Sequence, residues 1–111
     1  MQIKKTYLNV KPELLHDELK DFVIKQGVAL GEDKLETLSI PTDSSSFISR
    51  STLTFVNPAG KECLRAHLVG MNIGETKLMI DIDDGLFPAE KTKALLEDID
   101  FIFSSYEVKA K

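Results

Sequence analysis

Cysteine is almost missing from this chain: Cys63 stands alone. That excludes an internal disulfide and a zinc site built from several thiolates, and it suits a reducing compartment. Long apolar runs are missing too, since nothing approaches the roughly 20 consecutive apolar residues of a membrane-spanning helix. A basic excess is also lacking. With 14 Lys and Arg against 18 Asp and Glu, the formal net charge is −4, and the lysines gather on no single stripe. Nucleic acid, whose affinity rests on neutralised phosphates, is therefore not an expected partner, and neither is a membrane. The opening Met1-Gln2-Ile3-Lys4-Lys5 is followed by Thr6, Asn9, Lys11 and Glu13, where a signal peptide would carry an apolar run. A cytoplasmic protein is expected. No internal repeat and no interdomain linker interrupts the chain, and 111 residues suit a single domain with its own core.

Complete catalytic and metal-binding motifs are lacking as well. Asp81-Ile82-Asp83-Asp84-Gly85 resembles the start of a calcium loop, but such a loop needs glycine sixth and glutamate twelfth; here Gly85 is fifth and Thr92 twelfth. Turn chemistry and a helix start explain those aspartates better. Cys63 and His67 share a strand face but sit about 13 Å apart, too far for a nucleophile and its base. His16, on a helix away from the apolar stripe, reads as exposed and without a partner. No cofactor is implied.

What the chain does have is a block from Phe47 to Asp83 in which two turn signals, Asn57-Pro58-Ala59-Gly60 and Asn72-Ile73-Gly74, separate three β-rich runs. These read as antiparallel strands of a meander. Ahead of them, Ile3 to Val10 predicts a strand with Tyr7 on one face and Leu8 and Val10 on the other. Pro12 suits a first helical position. Leu15, Leu19 and Phe22 then recur at helical spacing, Leu14 and Val23 widen the stripe, and Gly27 ends it. Gly31-Glu32-Asp33 predicts a turn, Lys34 to Ile40 a short strand with Leu38 and Ile40 on one face, and Pro41 to Ser46 a polar loop. After the meander Ala89 to Ile99 is helical. Phe101-Ile102-Phe103 continues that helix or opens a strand, with helix favoured. The order strand, helix, strands, helix predicts an α+β fold, an antiparallel sheet of four to five strands packed against helices.

Tracing the ladders assigns two faces. A four-residue turn at Asn57 sets Val56 opposite Lys61, Leu53 opposite Leu64, Ser51 opposite Ala66 and Ser49 opposite Leu68. A three-residue turn ending in a left-handed Gly74 sets Leu68 opposite Leu78, Ala66 opposite Ile80 and Leu64 opposite Ile82. That face is apolar. The other gathers Arg50 opposite His67, Thr52 opposite Arg65, Thr54 opposite Cys63, Asp81 beside Arg65 and Asp83 beside Cys63. An exposed Arg65–Asp81 pair contributes at most about 1 kcal/mol. Arg50, Arg65, His67 and Asp81 form either a solvated face or an anion-binding surface. They name no nucleophile with a positioned base, so an enzyme is the least expected class. A bulged Asn57 turn is an alternative, and a slip of one residue would send Arg65 and His67 to the opposite face.

Val10-Lys11-Pro12-Glu13-Leu14-Leu15-His16-Asp17-Glu18-Leu19-Lys20-Asp21-Phe22 resembles the opening of START and Bet v 1-like helix-grip domains, where a first strand also runs into a helix ahead of an antiparallel sheet and a long C-terminal helix. This chain is shorter and has one helix before the sheet where two are usual. The resemblance implies a cavity between sheet and C-terminal helix for a small apolar molecule. Its lining would be Phe47, Leu53, Phe55, Leu64, Leu68, Leu78 and Ile80, facing Leu95, Ile99, Ile102 and Phe103. The same residues could instead fill a solid core. The second function that fits is self-association into a homo-oligomer, through an exposed sheet edge or through the apolar residues around Phe101, which falls off the helical stripe.

Overall fold

A computed structural model describes residues 1–40, 43–71 and 74–108. Strand β1 (Gln2–Leu8) leads into helix α1 (Pro12–Ile24). Four strands follow, β2 (Ala29–Ile40), β3 (Asp43–Val56), β4 (Glu62–Met71) and β5 (Glu75–Ile82), and then helix α2 (Ala89–Phe103) with a single 3₁₀ turn at Ser104–Tyr106. All pairings are antiparallel, in the order β1-β5-β4-β3-β2. The chain is thus α+β, with its first strand docked beside its last and both helices on one face.

β1 ends at Asn9, whose φ of 63° breaks the two-residue alternation. This is why Tyr7 and Val10 are both buried while Leu8 is exposed, where an unbroken strand would pair Leu8 with Val10. Asparagine tolerates the left-handed conformation better than other side chains. The released backbone is held at once: the Asn9 amide donates to the Gly74 carbonyl at 3.3 Å, and Thr76 Oγ1 to the Val10 carbonyl at 2.7 Å. Pro12 then supplies the pre-set first turn of α1. At its other end Gly27, at φ +91°, stops the helix as its sequence predicts.

One continuous core fills the space between sheet and helices. Leu53, Phe55, Leu64, Leu68, Leu78 and Ile80 from the sheet meet Leu15, Leu19 and Val23 of α1 and Leu95, Ile99 and Phe103 of α2, none more than 2% exposed. Each such side chain stabilises the fold by roughly 1.5–3 kcal/mol. The Tyr7 and Phe103 rings lie 5.9 Å apart at 59°, a tilted contact of the favourable kind. Phe101-Ile102-Phe103 is helical, the favoured of its two readings.

The meander keeps the expected faces by a route the sequence does not announce. β4 and β5 pair as expected, Leu68 with Leu78, Ala66 with Ile80 and Leu64 with Ile82. Between β3 and β4 the ladder is two residues away from expectation: Leu53 meets Ala66, Phe55 meets Leu64 and Ser51 meets Leu68. The Asn57 turn contributes one of those residues. Val56 pairs with Glu62, and Asn57 Oδ1 accepts from the amides of Ala59 and Lys61 around a left-handed Gly60. A bulge contributes the other, because Cys63 has no counterpart between Phe55 and Val56. Two single displacements restore parity, so the apolar face stays inside. Only the bulged residue changes side. Cys63 is 1% exposed instead of standing on the outer face, its thiol 3.6 Å from the Phe55 carbonyl, and burial pushes its pKa up.

β2 is longer than the sequence indicates. Gly31-Glu32-Asp33 is no turn but a bulge inside the strand, where the pairing steps from Leu30–Phe55 to Asp33–Leu53. The Glu32 amide donates to Thr54 Oγ1 at 2.7 Å, which buries Thr54 even on the outer face. The expected loop at Pro41 to Ser46 shrinks: Asp43 to Ser46 belong to β3, while Pro41 and Thr42 lie outside the described residues, as do Asn72 and Ile73 of the second turn.

Candidate functional site: the edges and outer face of the sheet

The two edge strands are treated differently. On β1, the Tyr7 backbone bridges to Glu107 and the Val108 amide donates to the Thr6 carbonyl at 2.7 Å, so the chain after α2 covers the strand's outer side. Lys5, on the helix-bearing face between Ile3 and Tyr7, fastens that cover: its Nζ lies 3.2 Å from Asp100 Oδ1 and 3.1 Å from Glu107 Oε1. Burial alone would lower the Lys5 pKa, but hydrogen bonds to Glu107 and Asp100 outweigh it and hold the ammonium above its ordinary range. Burial, with Glu107 and Asp100 near, also pushes the Tyr7 phenol up; its hydroxyl has no partner among the described residues.

On β2, by contrast, only β3 pairs among the described residues, and the outer row of amides and carbonyls meets no other strand. Apolar side chains flank this open edge: Leu35 is 39% exposed on the helix-bearing face and Leu38 47% on the outer one. Phe47, opposite Ser39, is 39% exposed. Charges alternate along the same stretch. Lys34 Nζ contacts Glu36 Oε1 at 3.1 Å and Arg50 Nη2 lies 3.8 Å from Glu36 Oε2, and the hydrogen bond from Lys34 holds the Glu36 carboxyl below its usual range.

Beneath the β2–β3 hairpin runs a polar strap that sequence reasoning missed. His16 is 3% exposed, not solvated; its Nε2 lies 2.7 Å from Asp33 Oδ1, and Lys20 Nζ reaches Asp33 Oδ2 at 3.0 Å. The hydrogen bond from Lys20 holds the Asp33 carboxyl below the usual range; burial opposes it, and His16 adds to the lowering. One turn earlier Glu13 Oε1 accepts from Ser49 Oγ at 2.7 Å, and Ser49 Oγ meets Thr37 Oγ1 at 3.1 Å. Glu13, His16 and Lys20 sit at i, i+3 and i+7, one helix face. The polar Ser49 and Ser51, at otherwise apolar positions of β3, are the counterpart signal. Two buried atoms here, His16 Nδ1 and Ser51 Oγ, lack partners among the described residues.

All four expected residues stand on the outer face, and Arg50, Arg65 and His67 line one groove beside Glu36 and Thr52. Thr52, not Arg50, stands opposite His67, with Oγ1 and Nδ1 at 3.3 Å; Arg50 stands opposite Val69. Arg65 and Asp81 are direct neighbours in the ladder, as expected. Their charges nonetheless go elsewhere: Arg65 Nη2 binds Glu62 Oε1 at 2.9 Å on its own strand, and Asp81 Oδ1 accepts from Gln2 Nε2 at 3.0 Å. The bulge at Cys63 breaks the alternation of β4 between Glu62 and Arg65, and so brings these two side chains, three apart, within reach of each other. Both arginines are therefore engaged by carboxylates.

Of the expected cavity lining, Leu53, Phe55, Leu64, Leu68, Leu78, Ile80, Leu95, Ile99 and Phe103 lie in the continuous core, whereas Phe47 and Ile102, 39% and 42% exposed, lie at its margin. Phe101 is 90% exposed on α2. Among the described residues no group of three His, Cys, Asp or Glu is gathered as a metal site, and no helix is long and apolar enough to cross a membrane. Neither the models of known protein families nor the curated proteins include a match to this chain.

Proposed function

We propose that this chain is a small, non-enzymatic binding domain that recruits a protein partner as an added strand along β2. The observation that carries the reading is the contrast between its edges: β1 is covered at Thr6 and Tyr7 by Glu107 and Val108 and fastened by Lys5, whereas among the described residues the outer backbone row of β2 meets no other strand, beside exposed Leu35 and Leu38. An exposed sheet edge is the docking element of β-augmentation, where main-chain hydrogen bonds provide affinity and alternate side chains provide selectivity. Tight closure of the nine core residues favours an external binding surface over a ligand held between sheet and α2, and commitment of Arg50 and Arg65 to Glu36 and Glu62 favours contact over anion chemistry.

The test is selection of a displayed library of random seven- to ten-residue peptides, a length suited to one strand, against the immobilised chain. Leu35→Lys, which sets a charge against an incoming strand, serves as the counter-selection. Peptides that bind the natural chain, lose affinity for the variant and perturb β2 amides in NMR spectra are expected. Peptides that bind the variant equally well, or an empty selection, would overturn the reading.

A further inference from the structure

The charge pattern of β2 is complementary to itself. An added antiparallel strand places directly opposite residues on the same face, so a second copy related by a two-fold axis normal to the sheet must match even positions with even and odd with odd. Centred on Lys34 or on Glu36, such a pairing brings like charges together at the axis. Centred on Leu35, it sets Lys34 opposite the second copy's Glu36, Glu36 opposite its Lys34, and Leu35 against Leu35. Opposite charges directly across a ladder stabilise it and like charges destabilise it.

The flanking geometry fits this centre. The ladder of β2 with β3 is regular from Asp33 to Ser39, bounded by the bulge at Gly31-Glu32, and Asp33 to Thr37 is the symmetric part of it about Leu35. Glu36 already stands beside Arg50, its neighbour on β3. An incoming Lys34 on its other side would complete an alternating row of Arg50, Glu36 and Lys34 across the junction, once for each copy. Leu35, 39% exposed, would be covered by its own counterpart.

Resting on the reading of β2 as the binding edge, we propose that the partner strand is β2 of a second copy, paired in the register centred on Leu35. The assembly closes at two: the shared junction consumes both β2 edges, and each β1 edge left outside is covered at Thr6 and Tyr7 by Glu107 and Val108. A chain with both edges open would grow into a filament. Here the cover over Thr6 and Tyr7 opposes such growth.

Sedimentation velocity over micromolar to millimolar concentration, on the natural chain and three variants, provides the test. The natural chain is expected to dimerise. Lys34→Glu replaces two attractive contacts by two repulsive ones and is expected to weaken the dimer about tenfold or more, while the double change Lys34→Glu with Glu36→Lys brings back the two attractions across the junction and recovers part of the loss, the rest being the new lysine beside Arg50. Phe101→Ser, on the far helix, should change nothing. Oxidative cross-linking fixes the register: with Cys63 buried, Leu35→Cys meets its counterpart at a Cα separation of about 4.5–5.5 Å, within disulfide reach, whereas Thr37→Cys lies roughly 14 Å from its own. A natural chain that stays monomeric, a dimer broken by Phe101→Ser, one indifferent to Lys34→Glu, or cross-linking at Thr37→Cys in place of Leu35→Cys would each overturn the proposal. In any of these cases, β2-directed peptides from the library selection would leave the binding-edge reading standing, so the two fail separately.

Discussion

Along β1 the outward carbonyl of Thr6 accepts a hydrogen bond from Val108 and a half-buried lysine clamps the covering segment; along β2, on the far side of the same sheet, the corresponding row meets no other strand among the described residues. β1, with Ile3, Thr6 and Tyr7, has the stronger β-forming character of the two strands, yet it is the one that the chain covers. The strands differ in what the rest of the chain brings to them. β1 lies under α2, so the residues just beyond that helix fall against its edge. β2 continues past the end of β4, whose first partner on β3 is Ile48, and the polar strap from α1 reaches beneath it. An edge is sealed by its position in the topology more than by its own sequence.

The largest test of this contrast compares packing. Phe55→Ala, in the covered part of the sheet, should destabilise the domain by about 3–5 kcal/mol, read from denaturant unfolding. Next comes the clamp on β1. Lys5→Met leaves Asp100 and Glu107 without their shared cation and should cost roughly 1–3 kcal/mol, with faster amide exchange along β1. Because the folded Lys5 pKa is raised, its contribution is full below its ordinary value of about 10.4 and disappears as pH rises through the higher folded value. The natural chain should therefore lose stability on that alkaline limb and Lys5→Met should not show the loss.

The strap beneath the hairpin gives the opposite sign. The folded Asp33 pKa is lowered, so its contribution is present above its ordinary value of about 3.9 and lost as pH falls through the lower folded one. Asp33→Asn should cost about 1 kcal/mol near neutrality and flatten the acid limb of the stability profile. The smallest expected effect is that of Leu38→Ala on the open edge. It should change monomer stability by within about 0.5 kcal/mol, in contrast to Phe55→Ala; a cost near that of a core residue would mean that β2 is covered in the monomer.

Much of this fold was legible from turn and periodicity signals. Pro12 and Gly27 bracket α1, and Gly74 fixes the β4–β5 register residue for residue. The β3–β4 register was not, because neither the extra loop residue nor the Cys63 bulge carries a signal of its own; the faces survived since the two shifts sum to an even number. His16 shows a different limit. Its burial depends on Asp33, and Asp33 reaches it only because Gly31 and Glu32 bulge where a turn was expected. The open edge of β2 is not written in β2 at all: it follows from where Glu107 and Val108 end up, which is a property of the whole chain.

Hydrogen exchange of the outward-facing amides of β1 and β2, followed on the natural chain at low micromolar concentration, tests the central contrast most directly. Slow exchange is expected where the C-terminal segment covers β1 at Thr6 and Tyr7, and fast exchange along the open side of β2 from Asp33 to Thr37. Equal protection of the two edges in the dilute monomer would contradict that contrast.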